Sequence, residues 1–322
     1  MTYYPIIIPT LNRYEKLKAC IDSLTQSEEA KYTELVIGLD YPPADKYIDG
    51  WKKISEYIET IKGFAKITCI RQSENIGAIK NSQLLEHYAL EKYDAYIYSE
   101  DDNVFSPYFL RFINEGLDKY KEDNSVMAVC GYSYPIDWKT EKDCVLQHQY
   151  FSAWGFGIWK NRYNQLYSDI PSSDFRDSVL NKHKRKVLKK SKKNFFAAQG
   201  FIFDNNIYPC DVTISAYLYL NKKNVLMPVV SLSRNIGWDG SGEHCLKDDK
   251  HFSEQIINMT KELNVEPEII NYSRNLEIFQ ISLVKKWKLK IVRIYCLNLL
   301  LRIIGKSNAY RIRKLRNKLL KK

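Results

Sequence analysis

The first 130 residues alternate short apolar runs with amphipathic stretches, and this alternation limits the fold more than any other feature of the chain. YYPIIIP (3–9), ELVIGLD (34–40), KITCIR (66–71), DAYIYS (94–99) and VMAVCG (126–131) read as strands. Between them, residues 13–24, 44–61, 77–90 and 107–120 carry helical spacing. Near-continuous apolar runs are the mark of strands covered on both faces, and strands separated by helices pair in parallel. The pattern predicts an α/β domain with a mostly parallel sheet flanked by helices. Sheets of this kind bind ligands at the carboxyl ends of their strands.

After residue 131 the regularity fades. HQYFSAWGFGIWKNRY (148–163) is aromatic, and residues 173–193 are basic and helix-like. YPCDVTISAYLYL (208–220) reads as a helix after its proline, VLMPVVSLSR (225–234) as a strand, and glycine-rich RNIGWDGSGEHC (234–245) as a loop. No repeat or low-complexity linker divides the chain, and 322 residues suffice for a large core.

The net charge of +11 is unevenly spread. From Ile278 to Lys322 there are 14 Lys and Arg and no Asp or Glu, which leaves 35 basic against 38 acidic residues before that point. The tail's apolar runs are broken by Arg293 and Arg302, short of the roughly 20 residues a spanning helix needs. Basic and apolar residues at helical spacing predict helices lying in a membrane interface, with a solvated helix or a nucleic-acid arm as the alternatives. A second basic run, KHKRKVLKKSKK (182–193), reads as a solvated face. The seven cysteines are scattered without a CxxC pair, which suits a reducing cytosol rather than a disulfide framework or a zinc site. Met1 leads straight into a strand-like run without a basic leader, so no N-terminal secretion signal is expected.

The polar residues that could do chemistry fall at the strand ends. Thr10 and Arg13 follow the first run, Asp40 ends the second, Asn75 follows the third, and Glu100-Asp101-Asp102 ends the fourth. In an extended chain Glu100 and Asp102 would share one side with Asp101 opposite. Crowded carboxylates favour a raised pKa or a bound cation, and hard oxygen ligands suit Mg2+ or Mn2+. A solvated turn or a helix cap is the plainer reading of the same triplet.

PIIIPTLNRYEKLKACIDSL, Asp40, SENIGAIKNS, SEDDNVFSPYFLRFINEGL, SAWGFGIWKNRY and SLSRNIGWDGSGEHC together resemble nucleotide-sugar glycosyltransferases of the GT-A fold. The nearest likeness is to bacterial family 2 enzymes and to the N-acetylglucosaminyltransferase I type, over roughly residues 3–250. The resemblance implies a Rossmann-like catalytic domain over 1–272, with a nucleotide-sugar-binding half to about residue 130 and an acceptor half with a lid loop after it. Residues 273–322 would then form the amphipathic tail.

The resemblance also implies roles. Asp102 would hold Mn2+ or Mg2+ at the donor diphosphate, with Glu100 and Asp101 on the sugar or ribose side. Thr10, Arg13 and Asp40 match positions that hold the nucleotide base and ribose, and Asn75 and Lys80 lie where a loop would approach the donor, although Lys80 stands where arginine is common. Asp211 matches the general base in order along the chain, although Cys210 and Val212 flank it where Trp is frequent; a helix cap is its plainer role. Trp154, Gly155 and Phe156 would wall the acceptor or simply pack in the core. His244 would contact diphosphate or metal, or only cap its loop.

The function so implied is inverting, metal-dependent sugar transfer to a hydroxyl of a glycan or lipid-linked acceptor, in surface polysaccharide synthesis at the cytoplasmic membrane face. Two other classes stay open. A nucleotidyltransferase or phosphodiesterase would want a second acidic cluster, which the sequence lacks. A nucleic-acid-binding protein would use the basic tail, but no recognised binding motif accompanies it, so no nucleic-acid partner is expected.

Overall fold

The computed structural model describes residues 1–136, 138, 144–180, 207–238, 250–259 and 265–268. The basic run 182–193, the segment 239–249 with His244, and the tail beyond 278 lie outside the described residues. The chain divides into two compact units. The described residues of the first fall within 1–166 and 222–268, and those of the second are 167–180 and 207–221.

Among the described residues the first unit is built on a nine-stranded sheet. Its strands are β1 (Ile6–Thr10), β2 (Glu34–Leu39), β3 (Lys66–Arg71), β4 (Ala95–Tyr98), β6 (Val126–Cys130), β7 (Val145–His148), β8 (Phe156–Trp159), β9 (Asn224–Pro228) and β11 (Pro267–Glu268). Their order is β11-β7-β9-β6-β8-β4-β1-β2-β3. β1 pairs in parallel with β2 on one side and β4 on the other, and β2 pairs in parallel with β3. The chain therefore winds outward from β1 to β3 and then returns to β4. That reversal makes the β1/β4 boundary a switch point, where two adjacent loops part and leave a crevice. The mostly parallel, Rossmann-like α/β arrangement expected from the alternation is the one observed.

Helices cover the sheet because each buries one apolar stripe. α1 (Tyr14–Leu24) buries Leu17, Cys20, Ile21 and Leu24, and α2 (Ile48–Ile58) buries Ile54 and Ile58. α3 (Ala78–Lys92) follows β3, and α4 (Phe109–Tyr120) buries Phe109, Phe112, Ile113 and Leu117. Each fully buried Leu, Ile or Phe contributes roughly 1.5–3 kcal/mol, so these stripes hold the layers together.

The second half departs from the sequence reading in a way that matters for function. The aromatic stretch contains a strand, β8, which runs antiparallel between β4 and β6. The predicted strand over 225–234 is two strands, β9 and β10 (Ser233–Asn235). β10 pairs antiparallel with β5 (Asn103–Phe105), the short strand directly after the acidic triplet. Asn235, read from sequence as loop, thus belongs to a strand.

In the second unit, the end of α5 (Lys160–Asp169), α6 (Ser173–Leu180) and α7 (Asp211–Asn221) are described. Tyr217 donates to Asp169 at 2.7 Å, and its ring meets Phe175 at 6.0 Å. Among the described residues no helix is long and apolar enough to cross a membrane.

Candidate active site

The site begins at the carboxyl ends of β1 and β4. Arg13 occupies the cap position of α1, where its carbonyl accepts from the amides of Lys16 and Leu17 at 3.1 and 3.0 Å. Its backbone thus starts the helix while its side chain is left to cross to the neighbouring strand end. There the guanidinium bridges two consecutive acids, donating from Nη1 to Asp102 Oδ2 at 2.6 Å and from Nη2 to Asp101 Oδ1. Thr10, the last residue of β1, donates its hydroxyl to the other Asp101 oxygen at 2.8 Å.

This geometry corrects the alternation expected of Glu100, Asp101 and Asp102. The strand ends at Tyr98 and the chain turns over Asp101 and Asp102, so both adjacent acids face the same guanidinium. A turn has no two-residue repeat, and the prediction rested on an extended chain.

The two acids are 4% and 3% exposed. Burial pushes the Asp101 carboxyl up, Arg13 pulls it back, and the Asp102 charge adds to the rise; the net direction is upward. Burial works against the Arg13 charge, but Asp101 and Asp102 outweigh it and hold the guanidinium protonated. Burial also raises the Cys20 thiol, which packs against Ser99 at 3.8 Å, so it is no nucleophile here.

A second element closes on Asp102 from β10. Asn235 donates Nδ2 to Asp102 Oδ1 at 2.6 Å and lies 3.2 Å from Asn103 Oδ1 and 3.4 Å from Glu100 Oε2. The Ile236 amide donates to the Asp102 carbonyl at 2.8 Å, and Lys16 Nζ donates to the Ile236 carbonyl at 2.8 Å. At Gly237 even a methyl group would stand 2.1 Å from Asp102 Oδ2, so any larger residue there would displace that carboxylate. Asn235, Gly237 and Lys16 stand within the sequence motifs but were given no role there, because nothing local marks them. The pairing of Asn235 with Asn103 spans more than a hundred residues.

The residues expected on the nucleotide side form a neighbouring cluster around Asp40, whose own amide donates to the Thr10 carbonyl at 3.0 Å. Asp40 accepts from the amides of Tyr41, Ile76 and Gly77 at 2.9, 3.0 and 2.9 Å, and from Asn75 Nδ2 at 3.1 Å. Asn75 also donates to the Tyr41 carbonyl at 2.7 Å. Asp40 therefore ties the loop after β3 to the end of β2. Lys80 is exposed on the first turn of α3.

The aromatic trio separates by environment. Phe156 is 7% exposed, stacked on Tyr98 at 5.3 Å and edge-on to Phe151 at 4.7 Å, so it packs in the sheet layer. Gly155 turns the chain into β8 at φ +93°, with its α-carbon against Phe105 and Phe109. Trp154 is half-buried among Tyr132 at 4.7 Å, Trp238 at 6.0 Å and Phe252 at 6.1 Å.

Asp211 is the first residue of α7, in the second unit. The cap position expected for it belongs instead to Cys210, whose carbonyl accepts from the Ile214 amide at 2.8 Å and whose own amide donates to Thr213 Oγ1 at 2.8 Å. A carboxylate one position further in is favoured by the helix dipole.

Among the described residues no three His, Cys, Asp or Glu side chains form a ready metal cluster. Mg2+-like ions, however, are held by one or two carboxylates with substrate phosphates completing the shell. Oxygens of Glu100, Asp102 and Asn103 converge on the single amide nitrogen of Asn235, a hard-oxygen donor set that suits Mg2+ or Mn2+.

No family model and no curated protein matches the sequence. Among solved structures the chain is similar to mannosyltransferase PcManGT from Pyrobaculum calidifontis in complex with GDP-Man and Mn2+, at 14% identity and TM-score 0.42 over 68% of this chain and 70% of that one. It is also similar to S. aureus TarS 1–349, at 11% identity and TM-score 0.39 over 70% of this chain and 57% of that one. A further S. aureus TarS structure matches at 16% identity and TM-score 0.30, over 37% of this chain and only 20% of TarS. Likeness of this degree carries no functional argument, which therefore falls to the side chains themselves.

Proposed function

We propose that the chain is an inverting, metal-dependent glycosyltransferase that moves a sugar from a nucleotide-sugar donor to a hydroxyl of a glycan or lipid-linked acceptor. The observation that carries this reading is the convergence of Thr10, Arg13, Asp101 and Asp102 at the β1/β4 switch point. Two adjacent buried acids sharing one fixed arginine at that place are a poor structural solution for a fold, and a good one for a charged ligand.

Asp102, with Glu100 beside it, would hold Mn2+ or Mg2+, which when bound offsets the charge of a departing diphosphate. Arg13 fixes the orientation of Asp101 and Asp102, while Lys16 adds positive charge one helical turn further along. Asp40 shapes the loop that would meet the nucleoside. Displacement at an anomeric carbon also needs a base for the acceptor hydroxyl, and Asp211 is assigned that role, with Trp154 on the acceptor side.

The basic tail from 278 would bring the enzyme to an anionic membrane surface, where each basic residue near the surface contributes roughly 1 kcal/mol. UDP is the preferred carrier, and surface polysaccharide the preferred pathway class.

The test is a nucleotide-sugar panel with and without Mn2+, reading the released product. Nucleoside diphosphate supports sugar transfer, whereas pyrophosphate would make the chain a nucleotidyltransferase. Asp211→Asn should lose transfer while keeping donor affinity, and full transfer in that variant removes Asp211 from the base role. Liposome sedimentation with and without 278–322, set against oligonucleotide binding, tests the tail.

A further inference from the structure

We infer that Asn235 is a positioning residue for Asp102, its side-chain amide setting the orientation in which that carboxylate meets a cation or a diphosphate. The inference rests on the nucleotide-sugar reading of the acidic edge and gives a role to a residue that the sequence motifs contain but leave unassigned.

Three observations carry it. Asn235 is 2% exposed and sits at the end of β10, in register with Asn103, the residue immediately after Asp102. Its amide orientation is settled by its surroundings, because the Gly237 amide donates to Oδ1 at 2.9 Å and so leaves Nδ2 as the end facing the acids. Nδ2 then donates at 2.6 Å to the one Asp102 oxygen that Arg13 does not take.

The residue type suits this place. A lysine or arginine would add a fixed charge competing with a divalent ion, and a carboxylate would repel Asp102. An apolar side chain would leave a buried oxygen of Asp102 without its donor. Asn supplies a donor with no charge, and its two N–H groups face three oxygens, from Asp102, Asn103 and Glu100. The same short segment carries Gly237, whose bare α-carbon lies against Asp102 Oδ2, and Ile236, whose carbonyl is pinned by Lys16 of α1. Asp102 is thus bracketed by Arg13 from one side and by residues 235–237 from the other. Groups that orient a ligand residue in this way typically cost 10–100-fold in affinity or activity when removed.

The experiment compares the parent chain with Asn235→Ala and Asn235→Asp, each alone and combined with Asp102→Asn. The readouts are Mn2+ binding from the paramagnetic resonance of the free ion, calorimetric binding of UDP and GDP in the presence of Mn2+, and kcat and KM for nucleotide-sugar turnover. The expected result is a loss of about 10–100-fold in Mn2+ affinity for Asn235→Ala. The loss should be larger for Asn235→Asp, which keeps the shape but presents oxygens where the donors were. In the Asp102→Asn background neither substitution should cost anything further, because the role runs through Asp102. Asn235→Ser keeps a small polar group and replaces the alanine variant if that one does not fold. Equal losses in both backgrounds, or variants that match a parent able to bind, overturn the positioning role alone. A parent chain that binds neither Mn2+ nor UDP nor GDP, and turns over no nucleotide sugar, overturns the nucleotide-sugar reading itself.

Discussion

Glu34 and the Asp101–Asp102 pair are buried carboxylates at opposite edges of the same parallel strands, and their surroundings differ in kind. Glu34 opens β2 at the amino edge. It accepts from Lys66 at 2.8 Å, Thr68 at 2.6 Å, Tyr88 at 3.0 Å and Tyr93 at 2.8 Å. Burial alone would raise its pKa, but the hydrogen bonds from Lys66, Thr68, Tyr93 and Tyr88 outweigh it and bring it from its ordinary 4.5 down to about 2. Asp101 has one arginine and one threonine, shares the arginine with a second acid, and moves upward instead. The amino-edge site is a finished structural network of mostly neutral donors around a single charge. At the carboxyl edge two adjacent buried acids share one guanidinium, an arrangement less completely satisfied than that of Glu34 and suited to a further positive ligand.

The difference can be broken most sharply at Asp102. Asp102→Ala should lower sugar transfer by about a thousandfold or more while the chain still folds, as judged by circular dichroism. Near-parent turnover would put Asp102 in the same structural class as Glu34. Arg13→Met comes next. It leaves two buried acids without their cation and should cost about 3 kcal/mol in urea unfolding. Arg13→Lys should recover only part of this, because one ammonium cannot span two carboxylates as the guanidinium fork does.

Glu34→Gln should cost up to about 2–3 kcal/mol at neutral pH, since it removes a charged acceptor from four donors. The exposed position of Lys66 keeps the value at or below that range. Because the folded-state pKa of Glu34 lies below its ordinary value, its stabilisation is complete above about 4.5 and is lost as pH falls toward about 2. Urea curves of parent and Glu34→Gln should therefore converge in acid; a constant gap would refute the assignment. Asp101→Asn should have the smallest effect on stability, within about 1 kcal/mol of the parent or slightly stabilising, because a strained charge is removed. Donor binding should nevertheless fall, and an Asp101→Asn variant as unstable as Glu34→Gln would erase the contrast.

The α/β class, the order of the first four helices and the position of the acidic edge were all legible, because each depends on periodicity within about fifteen residues. β1, β2, β3, β4 and β6 lie within one to three residues of their apolar runs. Two things were not legible. β8 is hidden in an aromatic stretch because FGIW is too short to show alternation and becomes a strand only between β4 and β6. Asn235 and Gly237 look like ordinary loop residues until β10 lies against β5.

The sequence by itself determined which residues are chemically capable and at which edge they emerge, because strand order along a βαβ chain sends every strand's end to the same side. Only the tertiary structure decided how the acids are used. It turned Asp101 and Asp102 toward one guanidinium, placed Phe156 in the packing layer, and brought Asn235 and Gly237 from the far end of the chain onto Asp102. The physical reason is range. Periodicity and helix capping are written over one or two turns of chain, whereas the partner of a buried charge is chosen by whatever distant segment the packed sheet carries within about 3 Å of it.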